Sequence, residues 1–349
     1  MEGYEVICTI GPSTKDIAIL KKLKAAGADI FRVNMSHASI KELKEIISMT
    51  KDLEIKIGID TEGAQIRTKL LTNSNINLEK GEILKVFKND INKINTLSFY
   101  PECIFPFLSQ DDLLRIDFNG AVAKVISNKD ELIILECVNP GKIGNNKGVD
   151  IINKAINIPD FTPKDLEALK IASKNNISEI FISFCKSPEA VQKARLIVPE
   201  ARITSKIESK LSIHNLSKIC KVTDATLIDR GDLTREINIM DIPFAQRGIV
   251  NISNENNTPC FVATNVLESL IEGDLPTRAE LNDIVGTLEM GASGIVLAAE
   301  TAIGKKPLLC VEIVKELMHR YKLSKSGLLF ADIERREITD KEMRIWLNR

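Results

Sequence analysis

Residues 178–209 read SEIFISFCKSPEAVQKARLIVPEARITSKIES and contain two short β-type runs, SEIFIS at 178–183 and RITSK at 202–206. The segment between the two runs has the spacing of apolar residues that is typical of a helix. A strand, a helix and a second strand in succession are typical of a parallel sheet that is covered by helices. The stretch therefore predicts one β–α–β unit of an α/β fold.

The same alternation continues along the rest of the chain. Helical patterns follow nearly all of the β-type runs, for example KDIAILKKLKAAG at 15–27 and PLLCVEIVKELMHRYKL at 307–323. The eight runs are EVICTI (5–10), IFRVN (30–34), IKIGID (55–60), SEIFIS (178–183), RITSK (202–206), ATLID (225–229), PCFVAT (259–264) and SGIVLA (293–298). Eight strand–helix units predict a (β/α)8 TIM barrel, in which the functional residues lie where the strands end.

One connection is much longer than the others, since residues 61–177 separate the third run from the fourth. A plain strand–helix crossover does not need that length. Between 69 and 157, short alternating runs are separated by Gly, Asn and Pro, which is typical of antiparallel strands joined by turns. We therefore predict a TIM barrel from residues 1–68 and 158–325, a small β-barrel-like domain inserted at 69–157, and no assigned fold for 326–349. Where the insertion ends, Thr162 is expected to cap a helix that begins at Pro163.

Composition excludes several classes of function. The 349 residues are 44% apolar and 27% charged, as in an ordinary globular protein. Lys and Arg number 47 against 48 Asp and Glu, so there is no basic excess to attract nucleic acid. The seven cysteines form no CxxC pair, which argues against a disulfide framework and a thiolate zinc site. We see no leader pattern and no apolar run of about 18 residues, and we expect a cytoplasmic protein with no membrane partner.

Polar side chains end several of the predicted strands. In FRVNMSH, the alternation of a strand places Arg32, Asn34 and Ser36 on one face. The third run ends at Asp60 and Thr61. Because the carboxyl ends of barrel strands meet at one face of the fold, we expect these groups to converge.

The later strands contribute further charged groups. In SKIES, Lys206 and Glu208 are two residues apart and so share one face of the strand. The sixth run leads into DRGDL, where Gly231 permits a turn whose N–H groups can receive an anionic oxygen, and Asp232 follows. The last two runs end near Thr264 and Glu300. A purely structural rim does not require so many polar strand ends, so their convergence favours an active site.

The residue types favour metal-assisted phosphoryl transfer. Glu208 and Asp232 offer hard oxygen ligands that suit Mg²⁺ or Mn²⁺. Lys206 beside them would neutralise a migrating phosphoryl group or a developing enolate, and Arg32 and Arg67 would offer forked donors to phosphate oxygens. A second oxygen cluster suits a monovalent cation and consists of Asn34, Ser36, Asp60 and Thr61. The chain has neither GxxxxGK(S/T) nor GxGxxG, so a nucleotide would bind without those loops.

Ten motifs in this chain resemble, in order, those of the pyruvate kinase family. They are CTIGPST (8–14), AGADIFRVNMSHAS (26–39), IGIDTEGAQIRT (57–68), NIPDFTPKD (157–165), ISFCKSPEAV (182–191), ITSKIES (203–209), RGDL (230–233), VATNVLES (262–269), PTRAE (276–280) and ETAIGKKP (300–307). The resemblance implies a (β/α)8 barrel with a β domain inserted after the third strand, in agreement with the alternation above. We expect the 349 residues to lack a counterpart of the family's C-terminal domain.

The resemblance also implies a role for each matching residue. Lys206 would be the catalytic lysine, Arg32 would bind the transferred phosphate, and Thr264 would lie beside the enolate. The divalent ion would be held by Glu208 and Asp232, and K⁺ by Asn34, Ser36, Asp60 and Thr61. Further substrate contacts would be Gly231, Asp232, Ser183 and Phe184, and nucleotide contacts Arg67, His37 and Lys147. The implied activity is phosphoryl transfer between phosphoenolpyruvate and ADP with Mg²⁺, which gives pyruvate and ATP as in glycolysis, and a homo-oligomer is a further expectation.

Two departures from the family's pattern leave alternatives open. Gln65 stands where the family has a glutamate near the K⁺ site, and Ala298 stands where it has a serine proposed to help deliver a proton to the enolate. One alternative is a relative that uses the metal and enolate site on phosphoenolpyruvate, pyruvate or another 2-oxo acid in a specialised pathway. The other is a non-catalytic ligand-binding protein, against which the intact set of Lys206, Glu208 and Asp232 argues.

Overall fold

The computed structural model describes residues 3–63, 65–70, 75–88, 97–100, 102–116, 121–129, 131–152, 154 and 158–327. The strands in chain order are β1 (Glu5–Ile10), β2 (Ile30–Asn34), β3 (Lys56–Asp60), β4 (Ile66–Leu70), β5 (Ile76–Leu78), β6 (Ile83–Phe87), β7 (Leu97–Tyr100), β8 (Leu113–Ile116), β9 (Val122–Lys129), β10 (Leu132–Asn139), β11 (Gly141–Ile143), β12 (Gly148–Ile151), β13 (Glu179–Ile182), β14 (Arg202–Ile207), β15 (Ala225–Asp229), β16 (Cys260–Ala263) and β17 (Gly294–Leu297). Most of the tail to which no fold was assigned, residues 328–349, lies outside the described residues.

The helices lie mainly between the strands of the larger unit. In chain order they are α1 (Ile17–Ala26), α2 (Ile40–Thr50), α3 (Pro163–Lys174), α4 (Pro188–Ile197), α5 (Lys210–His214), α6 (Leu216–Cys220), α7 (Arg230–Leu233), α8 (Ile242–Glu255), α9 (Ser269–Glu272), α10 (Arg278–Glu289), α11 (Ala299–Ala302) and α12 (Pro307–Lys325). Short 3₁₀ turns occur at Glu102–Phe107 and Ile239–Asp241. Among the helices that the structure describes, none is long and apolar enough to cross a membrane.

Eight parallel strands close into a barrel in the order β1-β17-β16-β15-β14-β13-β3-β2. They are the eight predicted runs, and their bounds differ from the predicted ones by no more than one residue at either end. This barrel belongs to a compact unit formed by the described residues up to Gly63 and from Phe161 onward. The predicted fold class, a TIM barrel with an inserted β barrel, is confirmed.

Alternation along the strands separates the barrel interior from the layer beneath the helices. The interior is filled by Ile7, Ile30, Phe181, Ala225, Leu227, Phe261, Ala263 and Val296. On β2, the residues of opposite parity, Phe31 and Val33, pack with the helices instead. The inward series continues from Ile30 to Arg32 and from Leu227 to Asp229, so apolar filling gives way to charged groups near the strand ends.

A second, smaller unit lies within residues 65–160. Its strands close into a barrel in the order β10-β6-β7-β4-β12-β8-β9, antiparallel apart from the parallel pair β6 and β7, and β5 pairs with β11 separately. It has its own apolar core, which includes Val86, Leu97 and Ile133. β4 pairs with β7 and β12, and residues 65–68 belong to this unit, and not to the large domain in which the sequence analysis placed them. The unit also extends beyond the predicted end at 157, to Asp160.

Asp165 organises the start of α3. Thr162 caps this helix by accepting the Asp165 N–H, and Pro163 is the first helical residue, as predicted. The Asp165 carboxylate is fully buried and accepts N–H groups from Glu62 at 2.6 Å, Gly63 at 3.1 Å and Thr162 at 3.0 Å. Burial raises the pKa of Asp165, and the hydrogen bonds from Thr162 and Glu62 oppose that rise. One side chain therefore ties the end of β3 to the helix that precedes β13.

The Asp165→Ala substitution is expected to lower the free energy of unfolding by about 2–4 kcal/mol, because three backbone N–H groups lose their acceptor. Urea denaturation measures the loss. Asp16, which caps α1 from an exposed position by accepting two N–H groups, is the matched control, and Asp16→Ala should cost about 1 kcal/mol because water replaces the carboxylate. Equal losses in the two variants would contradict the role given to Asp165.

Candidate active site

Lys206 lies at the centre of the charged strand ends. It is on β14, faces the barrel interior and is 4% exposed. Its Nζ is 2.7 Å from Glu208 Oε1, 3.4 Å from Asp60 Oδ2 and 3.7 Å from Asp229 Oδ2. It also donates to Ser183 Oγ at 3.1 Å. The spacing of two residues thus brings Lys206 and Glu208 together, and β3 and β15 add two more carboxylates.

The carboxylates around Lys206 keep it charged. Burial opposes the charged form, but Asp60, Glu208 and Asp229 outweigh that cost and raise the pKa of Lys206 above its ordinary value. The side chain therefore keeps its proton at neutral pH. It can act as a fixed positive charge for a reacting group, and not as a general base.

Arg32 on β2 is a second buried cation, 2% exposed. Its Nη1 is 3.0 Å from Asp60 Oδ2, and its Nε and Nη2 donate to Thr9 Oγ1 at 3.1 and 2.8 Å. Asp60 Oδ1 accepts a hydrogen bond from Ser183 Oγ at 3.1 Å. Asp60 thus lies between Arg32 and Lys206 and holds two cations in fixed directions, which a preorganised anion site requires.

Three carboxylates gather where β14 and β15 end. The ligand oxygens of Glu208, Asp229 and Asp232 lie within 4.8 Å of one another, and we call these residues the acidic group. Glu208 Oε2 accepts the Phe184 N–H at 2.7 Å. Glu208 Oε1 is buried and forms an ion pair with Lys206 Nζ at 2.7 Å, so a divalent ion at this oxygen would compete with the ammonium. The donor set fits Mg²⁺ or Mn²⁺, both of which prefer oxygen ligands.

The acidic group combines one buried carboxylate, Glu208, with two partly exposed ones, Asp229 and Asp232. Burial raises the pKa of Glu208, and the carboxylates of Asp232 and Asp229 raise it further, against the attraction of Lys206. Burial also opposes the ionisation of Asp229, but Lys206 and the hydroxyl of Thr264 outweigh it and lower the pKa of Asp229. A divalent cation would relieve the repulsion among these carboxylates.

The RGDL motif forms α7, which begins directly after β15. Asp229 caps it by accepting the Gly231 N–H at 3.2 Å. A Cβ at Gly231 would lie 2.9 Å from Thr264 Cγ2, so a larger residue there would have to displace the Thr264 side chain. The resemblance assigns the N–H groups of Gly231 and Asp232 to the substrate carboxylate. The Gly231 N–H donates to Asp229 here, and the substrate contact stays a prediction. Arg235 Nη1 lies 3.4 Å from Asp232 Oδ1.

Two strand ends carry residues in the left-handed region of backbone conformation. Phe184 follows β13 with a φ of 50°, and Thr264 follows β16 with a φ of 75°. Each such conformation costs about 1–3 kcal/mol in a side chain other than glycine, and it persists where the surroundings hold it. In this conformation the Phe184 N–H donates to Glu208 at 2.7 Å, and the Thr264 hydroxyl donates to Asp229 at 2.6 Å.

The residues predicted to hold a monovalent cation lie at the ends of β2 and β3. Asn34 Oδ1 accepts the Ser36 N–H at 2.9 Å, and Thr61 Oγ1 accepts the Ser183 N–H at 2.9 Å. Asp60 is already placed between the two buried cations. The structure brings these oxygens to one rim, and the assignment of K⁺ to them stays a prediction.

The residues predicted to face the nucleotide divide between the two units. Arg67 and Lys147 belong to the smaller unit, where Arg67 Nη1 donates to Asn146 O at 3.1 Å and the Lys147 N–H donates to Thr68 Oγ1 at 2.8 Å. His37 belongs to the larger unit, on the turn that follows β2. Their role toward a nucleotide stays a prediction.

Sequence reasoning missed Asp229 and Thr9. Asp229 is the last residue of the run ATLID and shares the parity of Ala225 and Leu227, so the strand pattern carried a signal that it faces inward. Thr9 shares the parity of Ile7 on β1. With these additions the site contains two buried cations, the acidic group and the hydroxyl of Thr264. This arrangement can neutralise charge on phosphoryl and enolate oxygens.

Comparisons with known proteins agree on one family. The barrel domain of pyruvate kinase matches residues 1–311. The chain is 32% identical over 327 residues to the pyruvate kinase of Chlamydia muridarum, covering 90% of this chain and 68% of that protein. It is 31% identical over 328 residues to the pyruvate kinase of Thermotoga maritima, with coverages of 91% and 70%. It is 29% identical over 321 residues to pyruvate kinase isozyme G, chloroplastic, of Nicotiana tabacum, with coverages of 89% and 57%. Because the family match covers most of the chain, the chain belongs to the pyruvate kinase family.

Proposed function

We propose that this chain transfers a phosphoryl group between phosphoenolpyruvate and ADP in a Mg²⁺-dependent reaction that yields pyruvate and ATP. The observation that carries the proposal is the Lys206 ammonium, fixed 2.7 Å from Glu208 at the edge of the acidic group. Phosphoryl transfer needs positioning and charge neutralisation more than covalent help, and the buried cations supply both. Membership of the pyruvate kinase family supports the choice of substrates.

Each charged residue has a part in the proposed reaction. Arg32 would hold oxygens of the transferred phosphoryl group through its forked guanidinium. Lys206 would neutralise the charge that passes between the phosphoryl group and the enolate oxygen. Glu208, Asp229 and Asp232 would hold the divalent ion, which when bound supplies further positive charge to the same oxygens. The protein's own contribution is to keep these groups in place before the substrate arrives.

The remaining contacts of the proposal follow the family resemblance. Those toward the substrate are Thr264, Gly231, Asp232, Ser183 and Phe184, and those toward ADP are Arg67, His37 and Lys147. K⁺ would be held by Asn34, Ser36, Asp60 and Thr61. A cytoplasmic location and a homo-oligomeric state belong to the same proposal.

A second candidate function is enolate chemistry on phosphoenolpyruvate, pyruvate or another 2-oxo acid, without transfer to ADP. Ala298 favours it, because a methyl group cannot deliver a proton to an enolate. Its N–H donates to Glu300 Oε2 at 2.8 Å, which holds the residue at the start of α11. Enolate chemistry in which solvent supplies that proton would not need a hydroxyl there.

One pair of assays separates the two candidates. Pyruvate formation from phosphoenolpyruvate is measured with ADP and other nucleoside diphosphates, with and without Mg²⁺ and K⁺, and deuterium exchange into pyruvate is measured in D₂O with Mg²⁺. The main proposal predicts pyruvate formation that requires both a nucleoside diphosphate and Mg²⁺. Exchange without ADP-dependent pyruvate formation would favour the second candidate. The absence of both reactions would reject the main proposal and would reject pyruvate as the substrate of the second.

A further inference from the structure

The turn that follows β16 has a backbone conformation that needs support from outside the turn. Thr264 and Asn265 have φ angles of 75° and 55°, two successive residues in the region that favours glycine. The hydrogen bond from the Thr264 hydroxyl to Asp229 Oδ1, at 2.6 Å, depends on this turn. The position of the Thr264 hydroxyl toward the acidic group is therefore set by whatever holds the turn.

Arg230 holds the turn through its guanidinium. Its Nε and Nη2 both donate to Thr264 O, at 3.0 and 2.7 Å, and Nη2 also donates to Asn265 O at 3.2 Å. A planar fork of donors suits two adjacent carbonyl oxygens better than a single ammonium does. Arg230 also follows Asp229 directly in the chain, so the support and the carboxylate that the turn contacts move together.

Asp283 on α10 fixes the same guanidinium from the other side. Its Oδ2 lies 2.6 Å from Arg230 Nη1, and Gln246 Oε1 of α8 lies 3.5 Å from that nitrogen. The Arg230 side chain is 12% exposed and that of Asp283 is 38% exposed, so the pair is partly shielded from solvent. The Arg230 guanidinium therefore connects α8 and α10 to the turn that follows β16.

We propose that Arg230 and Asp283 are positioning residues that keep the Thr264 hydroxyl on Asp229 and so orient Asp229 within the acidic group. The kinetic consequence rests on the proposed function, whereas the consequence for metal binding does not. Neither residue is assigned a contact with substrate, so their loss should act on the geometry of the site. We therefore expect the effect in kcat and in metal affinity, with little change in KM.

The test is the Asp283→Asn variant, which keeps the size of the side chain and removes its charge. We expect kcat for pyruvate formation to fall by about tenfold or more, within the range that a displacement of about 1 Å can cause. KM for phosphoenolpyruvate should change by less than about twofold, as expected for a group that acts on the transition state. The Kd of Mn²⁺, measured by electron paramagnetic resonance without substrate, should rise by about threefold or more, as for residues that orient metal ligands.

Two further variants keep the proposal falsifiable. Asp224 forms an ion pair with Arg195 at the opposite end of β15, and its side chain is 42% exposed, close to the value for Asp283. Asp224→Asn therefore shows what the loss of a surface ion pair does when the pair lies away from the site. Arg230→Lys keeps the charge and loses the fork, and it should show the same pattern as Asp283→Asn. The proposal is supported if both site variants lose kcat and Mn²⁺ affinity while Asp224→Asn retains them.

Three outcomes would overturn the proposal. They are wild-type kcat and Mn²⁺ affinity in Asp283→Asn, an equal loss in Asp224→Asn, and a change confined to KM. If the wild type forms no pyruvate but binds Mn²⁺, the proposed function fails, and the Mn²⁺ affinities of the three variants still decide the positioning role.

Discussion

Lys206→Met should lose pyruvate formation by at least about 10³-fold, because one preorganised donor to developing charge is worth about 10²–10³ and Lys206 carries a full charge. The variant should remain folded and should bind Mn²⁺ at least as tightly as the wild type. The ammonium lies 2.7 Å from Glu208 Oε1 and competes with a divalent ion for that carboxylate. The coupled pyruvate assay, Mn²⁺ titration and thermal melting measure the three expected results.

Lys315→Met is the matched control for Lys206→Met. Lys315 on α12 also pairs with an acidic residue, Asp29, at 2.8 Å, but it lies on the outer layer of the barrel. Its replacement removes an ion pair and should leave turnover at the wild-type level. A folded Lys206→Met variant with turnover close to that of the control would show that the proposed reaction does not use the ammonium.

Much of the fold is a local property of the sequence, and for that reason it could be predicted. Each barrel strand is a short run of β-forming residues, and the alternation within IFRVN already separates Phe31 and Val33 from Arg32. The Thr162 cap followed by Pro163 is equally local. The strand pairing of the small unit was harder to predict. β6 and β7 pair in parallel, but a sequence pattern of short strands and turns looks the same as that of an antiparallel hairpin.

The candidate site was only partly predictable, because several of its contacts join residues far apart in sequence. The pair Lys206 and Glu208 follows from a spacing of two on one strand. The bonds from Arg230 to Thr264 and Asp283 span 34 and 53 residues and leave no periodic signal. Glu300, placed at the barrel mouth by the sequence analysis, is buried and accepts three backbone N–H groups, from Val266, Leu267 and Ala298. It holds two loops together, a structural role that its position in the sequence does not reveal.

Glu208→Gln should weaken Mn²⁺ binding by about 10²-fold or more, because it removes a charged ligand. Replacing residues that only hydrogen-bond to a metal ligand already lowers metal affinity by about 10–100-fold. Glutamine has nearly the same volume, and its amide oxygen can still accept the Phe184 N–H that Glu208 Oε2 accepts at 2.7 Å. The amide nitrogen of the glutamine then takes the place of Glu208 Oε1, next to Lys206. The metal thus loses an anionic oxygen ligand, and an N–H donor, which cannot bind a cation, stands in its place. Pyruvate formation should fall with the metal affinity. Electron paramagnetic resonance of Mn²⁺ and the coupled assay measure the two losses.

Thermal melting tests the Glu208→Gln substitution independently, because it measures how much Mn²⁺ stabilises the folded protein. Mn²⁺ at 100 times its Kd should stabilise the wild type by about 2.7 kcal/mol, and the Glu208→Gln variant at that concentration by much less. Glu179→Gln is the matched control, because Glu179 is a buried carboxylate that accepts from Arg202 at 2.8 Å at the amino end of β13. The control should lose stability through its weakened ion pair and keep the full response to Mn²⁺. An equal response to Mn²⁺ in Glu208→Gln and the wild type would place the metal elsewhere, because a ligand stabilises only the state that it binds.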